Sequence, residues 1–264
     1  MRKCTLGDSY ISLGAPPHGL DNQSICFDYF RTYFRISERK LNQPTRRASF
    51  TPQEGKWAMK LYYVPNASSL ASHIALEWVD ADYKAIATSF GDDILYKLNP
   101  IGTAGILEFE DGFVLSQVPA ILKFLSTTYP HARIGGQGDD RVEADIDKWS
   151  SFLASDVHHA FHLLFNPARY GIEGNETARQ AALQLCYRNF KVLNEHLESQ
   201  TYMLGGHKSI LDAYVLPMIR WSYVQFPSER KNYANLNALH DRLIEDTSVM
   251  SAMQQEGIWN TITR

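Results

Sequence analysis

The stretch MKLYYVPNASSLASHIAL, residues 59–76, restricts the fold more than any other part of the chain. Residues 60–64 form a short β-branched and aromatic run of strand type. Pro65 and Asn66 break it, and Ser68 or Ser69 stands just before an apolar-periodic segment of Leu70, Ile74, Ala75 and Val79. A strand that turns sharply into a helix leaves backbone N–H groups and a hydroxyl aimed at one spot. Unpaired donors and the helix dipole make that spot favourable for an anion.

A small α/β unit follows. Residues 83–88 read as a second strand, and residues 92–98 as a short helix that Asn99-Pro100 must end, because the residue before proline avoids helical angles. Residues 105–109 and 113–116 are two strands around Glu110-Asp111-Gly112, a hairpin turn signal. Val118, Ile121, Leu122 and Leu125 then recur at helical spacing as far as Tyr129-Pro130. The order β-α-β-α-β-β-α is that of a thioredoxin-like α/β unit over residues 59–136. Gly135-Gly136-Gln137-Gly138 reads as a linker, since no strand precedes it to make a nucleotide loop.

From residue 139 to 264 the pattern is all-helical. Residues 145–165 carry Trp149, Phe152, Leu153, Val157, Phe161, Leu164 and Phe165 on one side of a single long helix. Residues 175–199 form a second. Ser209 and Asp212 make an S-x-x-D cap opening an apolar helix, which casts Asp212 as a structural group. Pro217 is expected to kink that helix or displace its first turns. Residues 235–246 and 248–257 close the chain as two short helices.

Composition excludes several classes. A net charge of −3 gives no basic excess for nucleic acid, and no run approaches the roughly 18 apolar residues of a membrane helix. Cys4, Cys26 and Cys186 form no CxxC pair, which points to a reducing, cytoplasmic setting rather than a disulfide or zinc scaffold. Residues 1–58 behave differently, with turn-rich sequence, an aromatic cluster from Phe27 to Phe34, and a basic run with Arg39, Lys40, Arg46 and Arg47. They read as an N-terminal extension, poorly ordered or the product of a mis-assigned start.

Taken in order, MKLYY with SLASHIAL, LNPIG, DGFVLSQVPAILKFL, WSSFLASDVHHAF and SILDAY resemble a cytosolic glutathione transferase, most closely the bacterial beta class. The resemblance spans residues 59–264. It implies the glutathione transferase fold, a homodimer, and glutathione as co-substrate beside a small hydrophobic electrophile. No prosthetic group, metal, nucleic acid or membrane partner is implied.

The resemblance also assigns residues. Beta-class members carry a cysteine where this chain has Ser68, and residues 59–136 contain no cysteine at all. Mixed-disulfide chemistry is thereby disfavoured, and Ser68 becomes the candidate activator of the glutathione thiol, with Ser69 as second choice. Lowering a thiol pKa by about two units takes ~2.7 kcal/mol. A hydrogen bond to a charged group supplies roughly 1.5–3 kcal/mol, and the helix dipole some tenths. The competing reading makes Ser68 a plain helix cap. Gln117 matches the position that binds the γ-glutamyl end. Val118 replaces a small hydroxyl or glycine, leaving its backbone N–H. Ala104-Gly105 stands where the family has a cis-proline; the bond is expected to be trans, with Ala104 still able to pair with the ligand. A family lysine before Asn99 has no counterpart. Tyr63 joins the glutathione-binding set, as do Ser151, Ser155, Asp156, His158 and His159 on the first long helix. His158 and His162 have metal-ligand spacing, but without an accompanying glutamate they are not read as a metal site. The electrophile pocket is expected near Phe161, Phe165 and Tyr214. The alternative function is a catalytically impaired member of the same fold that binds ligands or proteins.

Overall fold

The computed structural model describes residues 59–261; the N-terminal extension, with its aromatic cluster and basic run, lies outside the described residues. Four strands form one mixed sheet in the order β2-β1-β3-β4: β1 (Met59–Tyr63), β2 (Tyr83–Ala87), β3 (Ile106–Phe109) and β4 (Val114–Ser116). β1 runs parallel to β2 with Met59 opposite Tyr83, and antiparallel to β3 with Met59 opposite Phe109. The helices between them are α1 (Leu70–Trp78), α2 (Asp93–Leu98) and α3 (Val118–Thr128). This reproduces the β-α-β-α-β-β-α order.

Alternation along β1 sorts its neighbours. Leu61 and Tyr63 face the side packed by α1 and α3, while Tyr62 joins Leu95 of α2 and Ile106 on the opposite face. Asn99 ends α2 in extended geometry, φ −139° and ψ 110°, as the following proline requires. Gly112, at φ +81°, closes the β3–β4 hairpin.

The helical portion comprises α4 (Asp140–Phe152), α5 (His159–Phe165), α6 (Glu176–His196), α7 (Ile210–Gln225), α8 (Ala234–Ile244) and α9 (Thr247–Gln255). Asp139 caps α4 through the amides of Arg141 and Val142, and Asn175 caps α6 through Ala178. The expected single helix over 145–165 is corrected in two ways. It starts five residues earlier at the Asp139 cap, and a π-helical turn from Leu153 to His158 separates α4 from α5. Asn189 of α6, 1% exposed, donates to the Asp156 carbonyl inside that turn at 2.9 Å. A side chain thus satisfies backbone that regular i→i−4 pairing would have used.

The S-x-x-D signal is a complete capping box: Asp212 accepts from the Ser209 amide at 2.8 Å and its hydroxyl at 2.7 Å, and also from the Met203 amide at 2.9 Å. Burial pushes the Asp212 carboxyl up to about 6. Pro217, by contrast, does not interrupt α7, which runs unbroken from 210 to 225. An interior proline costs about 3 kcal/mol, yet every residue from 210 to 222 is buried, and each large apolar side chain contributes roughly 1.5–3 kcal/mol. Packing wins. α7 is the axis of the described residues, lying against α1, α3, α4 and α8, and one hydrophobic core runs from β1 through α7 to Ile258.

Candidate functional site

The turn between β1 and α1 presents Ser68. Val64 and Ser69 close the turn, with Ser69 Oγ hydrogen-bonded to both the amide and the carbonyl of Val64 at 3.2 Å. Ser69 is 0% exposed, so this internal staple leaves it nothing to offer a ligand, and the second-choice role for Ser69 is withdrawn. Ser68 is half-buried, and its hydroxyl bonds to no described residue. The amides of Leu70 and Ala71 are taken by the carbonyls of Ala67 and Ser68, so the hydroxyl is not used as a side-chain cap.

Two further segments reach the same place. A Cβ built on Gly105 would stand 3.1 Å from Val118 Cγ2 and 3.6 Å from Ser69 Cβ, so the 104–105 loop, the start of α3 and the Ser69 turn meet there. Gly105 has φ +82°, a value proline cannot adopt, and donates its amide to the Tyr62 carbonyl at 3.2 Å. No peptide bond among the described residues is cis, so Ala104–Gly105 is trans. Asn99, 4% exposed, holds the loop by bonding the Thr103 hydroxyl at 2.8 Å.

Gln117 is exposed and precedes α3 at φ 74° and ψ 112°. That is unusual backbone for a residue with a side chain, and such strain gathers at ligand-binding positions. Val118 is 5% exposed: its side chain belongs to the core, and its N–H stands in the first turn of α3, where a helix offers no acceptor of its own. A cleft of about 310 Å³ between α3 and α4 is lined by Pro119, Ala120, Lys123, Asp147 and Ser151, among others.

Across α7 the helical residues divide. His158 lies against Trp221 with ring centroids 5.3 Å apart and the ring planes tilted by 37°, and Trp221 donates its indole N–H to the Asn66 carbonyl at 2.8 Å. Burial, aided by the positive fields of His162 and His159, depresses His158 to about 3, so it is a neutral imidazole at ordinary pH. Ser155 turns back onto the Ser151 carbonyl and the Asp156 carboxylate, at 2.8 and 2.7 Å. His159 is exposed against Tyr170, centroids 5.7 Å apart, away from the Trp221 contact. Adjacent residues on a helix point about 100° apart, so His158 and His159 meet different surroundings.

Three expectations are corrected by burial. Tyr63, at 5% exposure, commits its hydroxyl to the Gln255 carbonyl at 3.2 Å and is packing, not cleft. Phe161 and Tyr214, at 0% and 2%, are core residues; of the three expected electrophile contacts only Phe165 is exposed. Among the described residues no three metal-ligating side chains cluster, although the His158 and His162 rings lie 4.6 Å apart.

Residues 153–246 match the family described as glutathione S-transferase, C-terminal domain. A Xanthomonas campestris pv. campestris protein, glutathione S-transferase GST-4.5, is 32% identical over 210 residues, covering 76% of this chain and 100% of that protein. The chain belongs to the glutathione S-transferase family. Among solved structures, the bacterial beta class transferase of Sphingomonas chungbukensis is 29% identical with a TM-score of 0.68, over 75% of this chain and 99% of that one. A sphingomonad glutathione S-transferase complexed with glutathione is 27% identical at the same TM-score of 0.68, over the same 75% and 99%.

Within that transferase fold, the residues that sequence reasoning missed are Asn66, Asn99, Arg220, Trp221 and Glu256. Asn66 carried a signal: asparagine after proline is a favoured left-handed position, and it stands at φ 61°. Asn99 carried its signal only as a helix end, although its partner Thr103 is four residues on. Arg220, Trp221 and Glu256 carried none, because their partners on the turn are more than 150 residues away.

Proposed function

We propose that this transferase binds glutathione between the Ser68 turn, the Ala104 loop and the start of α3, and conjugates its thiolate to small hydrophobic electrophiles. The observation that carries the reading is the half-buried Ser68 hydroxyl, without a partner among the described residues at a strand–turn–helix junction. A serine merely capping its helix would spend that hydroxyl on the helix. Gln117, held in strained backbone at the neighbouring helix start, is suited to the γ-glutamyl end, and the Val118 N–H to a carboxylate. Ala104 offers backbone to the peptide portion.

In this scheme glutathione loses its thiol proton to solvent and the sulfur keeps the electron pair, stabilised by the Ser68 O–H and the α1 dipole. The sulfur attacks an electrophilic carbon and the leaving group departs with its bonding pair. Binding and thiolate stabilisation supply the catalysis, without a prosthetic group. The relative solved with glutathione supports the ligand class. A homodimer is proposed on family grounds.

Gly105 at φ +82° and the buried Val118 favour a second reading, in which the transferase fold binds ligands without turnover. Calorimetric titration with glutathione, followed by conjugation of an aryl halide, separates the two. Saturable binding with turnover supports the enzyme; binding without turnover supports the second reading as a ligand binder; no binding removes the enzyme and leaves the fold as a protein-interaction module.

A further inference from the structure

Asn66, two residues ahead of Ser68, is gripped at three points by the C-terminal helices. Its amide donates to Glu256 Oε2 at 3.0 Å, its carbonyl accepts from Trp221 Nε1 at 2.8 Å, and its side-chain oxygen lies 3.4 Å from Arg220 Nε. These partners are 190, 155 and 154 residues away in sequence. All three are buried: Arg220 at 0%, Trp221 and Glu256 at 6%. Arg220 also donates to the Ile258 carbonyl at 3.2 Å, and Glu256 is paired with the buried His73 of α1 at 3.1 Å.

Two features set this apart from ordinary packing. A guanidinium is costly to bury, yet here it is spent on the Asn66 side-chain oxygen and the Ile258 carbonyl rather than on a direct carboxylate contact. In addition, Asn66 occupies the left-handed region at φ 61°, so the direction in which the chain leaves it, and therefore where Ser68 points, is fixed by whatever holds it.

From this geometry we infer that Trp221, Arg220 and Glu256 are positioning residues that aim the Ser68 hydroxyl by clamping Asn66. The inference rests on the Ser68 reading above. Its consequence is that thiolate stabilisation depends on the seating of the turn that follows α9, Glu256 to Ile258, against α7. A hydrogen bond to a sulfur anion loses most of its strength when its donor swings away, whereas contacts elsewhere on glutathione survive.

The test uses the full-length protein with Trp221→Phe, which keeps a ring but removes the N–H donor, and Asn66→Ala, which removes no core ring. For each, the pKa of the bound glutathione thiol is read from thiolate absorbance, together with kcat, the glutathione KM and the thermal midpoint. The inference expects the thiol pKa to rise by about one unit, so that kcat below that pKa falls about tenfold and recovers at higher pH, with KM changing far less. A folded variant with the wild-type thiol pKa and kcat, and only a lower thermal midpoint, would overturn it. Should Trp221→Phe not fold, Glu256→Ala, which removes the acceptor of the Asn66 amide, is read beside Asn66→Ala, which removes the Arg220 contact, and a wild-type thiol pKa and kcat in both overturns the inference. Ser68→Ala is run beside them: if it leaves the thiol pKa unchanged, the Ser68 reading has failed; if it shifts and the clamp variants do not, only the clamp has failed.

Discussion

His73 and Glu256 meet at 3.1 Å with both side chains fully buried, joining the helix that follows Ser68 to the end of α9, 183 residues later. The pair is a brace between the sheet layer and the last helices. Removing one partner strands the other in apolar surroundings, the costly way to break a buried pair. His73→Leu is therefore expected to lower stability by about 3–5 kcal/mol in urea unfolding, and a loss under about 1 kcal/mol would contradict the brace.

His158 gives a pH signature. Burial depresses it in the folded protein to about 3 from its ordinary 6.5, so the unfolded chain takes up a proton first as pH falls. Stability from this group is fully present above pH 6.5 and is lost progressively as pH drops from there toward 3. His158→Gln should flatten the fall in urea midpoint across that window. His162, also depressed by burial, leaves a residual slope of the same sign.

Asp212 anchors the opening of α7 with three accepted hydrogen bonds inside the core. Asp212→Ala removes a cap and leaves buried amides unpaired, for an expected loss of about 3 kcal/mol. Thermal unfolding checks it, and a midpoint within a degree or so of wild type would show that α7 is held by packing alone.

Gln117 should show opposing effects. Gln117→Gly relieves the backbone at φ 74° and is expected to raise stability by about 1 kcal/mol. If its side chain holds the γ-glutamyl end, calorimetry should register glutathione affinity about tenfold weaker, near 1.4 kcal/mol. Unchanged affinity would free Gln117 from any role in binding.

Much of this architecture is written locally. Asn99-Pro100 ends α2, Asn175 opens α6, and the Ser209–Asp212 pair opens α7, each a short-range signal whose physics does not need the rest of the chain. The π turn was hidden because its stability comes from Asn189, 33 residues from the carbonyl it satisfies. Pro217 misled for a related reason: its local cost is fixed, and the burial around it is global. The site was half legible. That a hydroxyl sits at the β1–α1 turn follows from sequence, but Ser69 and Ser68 differ by one residue, about 100° on a helix, and only tertiary structure shows which one is buried. The grip on Asn66 is made entirely by groups more than 150 residues away, beyond the reach of any periodicity.

The proposal as a whole turns on whether a serine oxygen can do the work of stabilising the bound sulfur anion. The direct measurement is the ionisation of glutathione on the wild-type protein and on Ser68→Ala, followed by thiolate absorbance against pH. The account predicts a bound thiol pKa about two units below that of free glutathione in the wild type, returning most of the way in the variant. An equally depressed pKa in Ser68→Ala would contradict it.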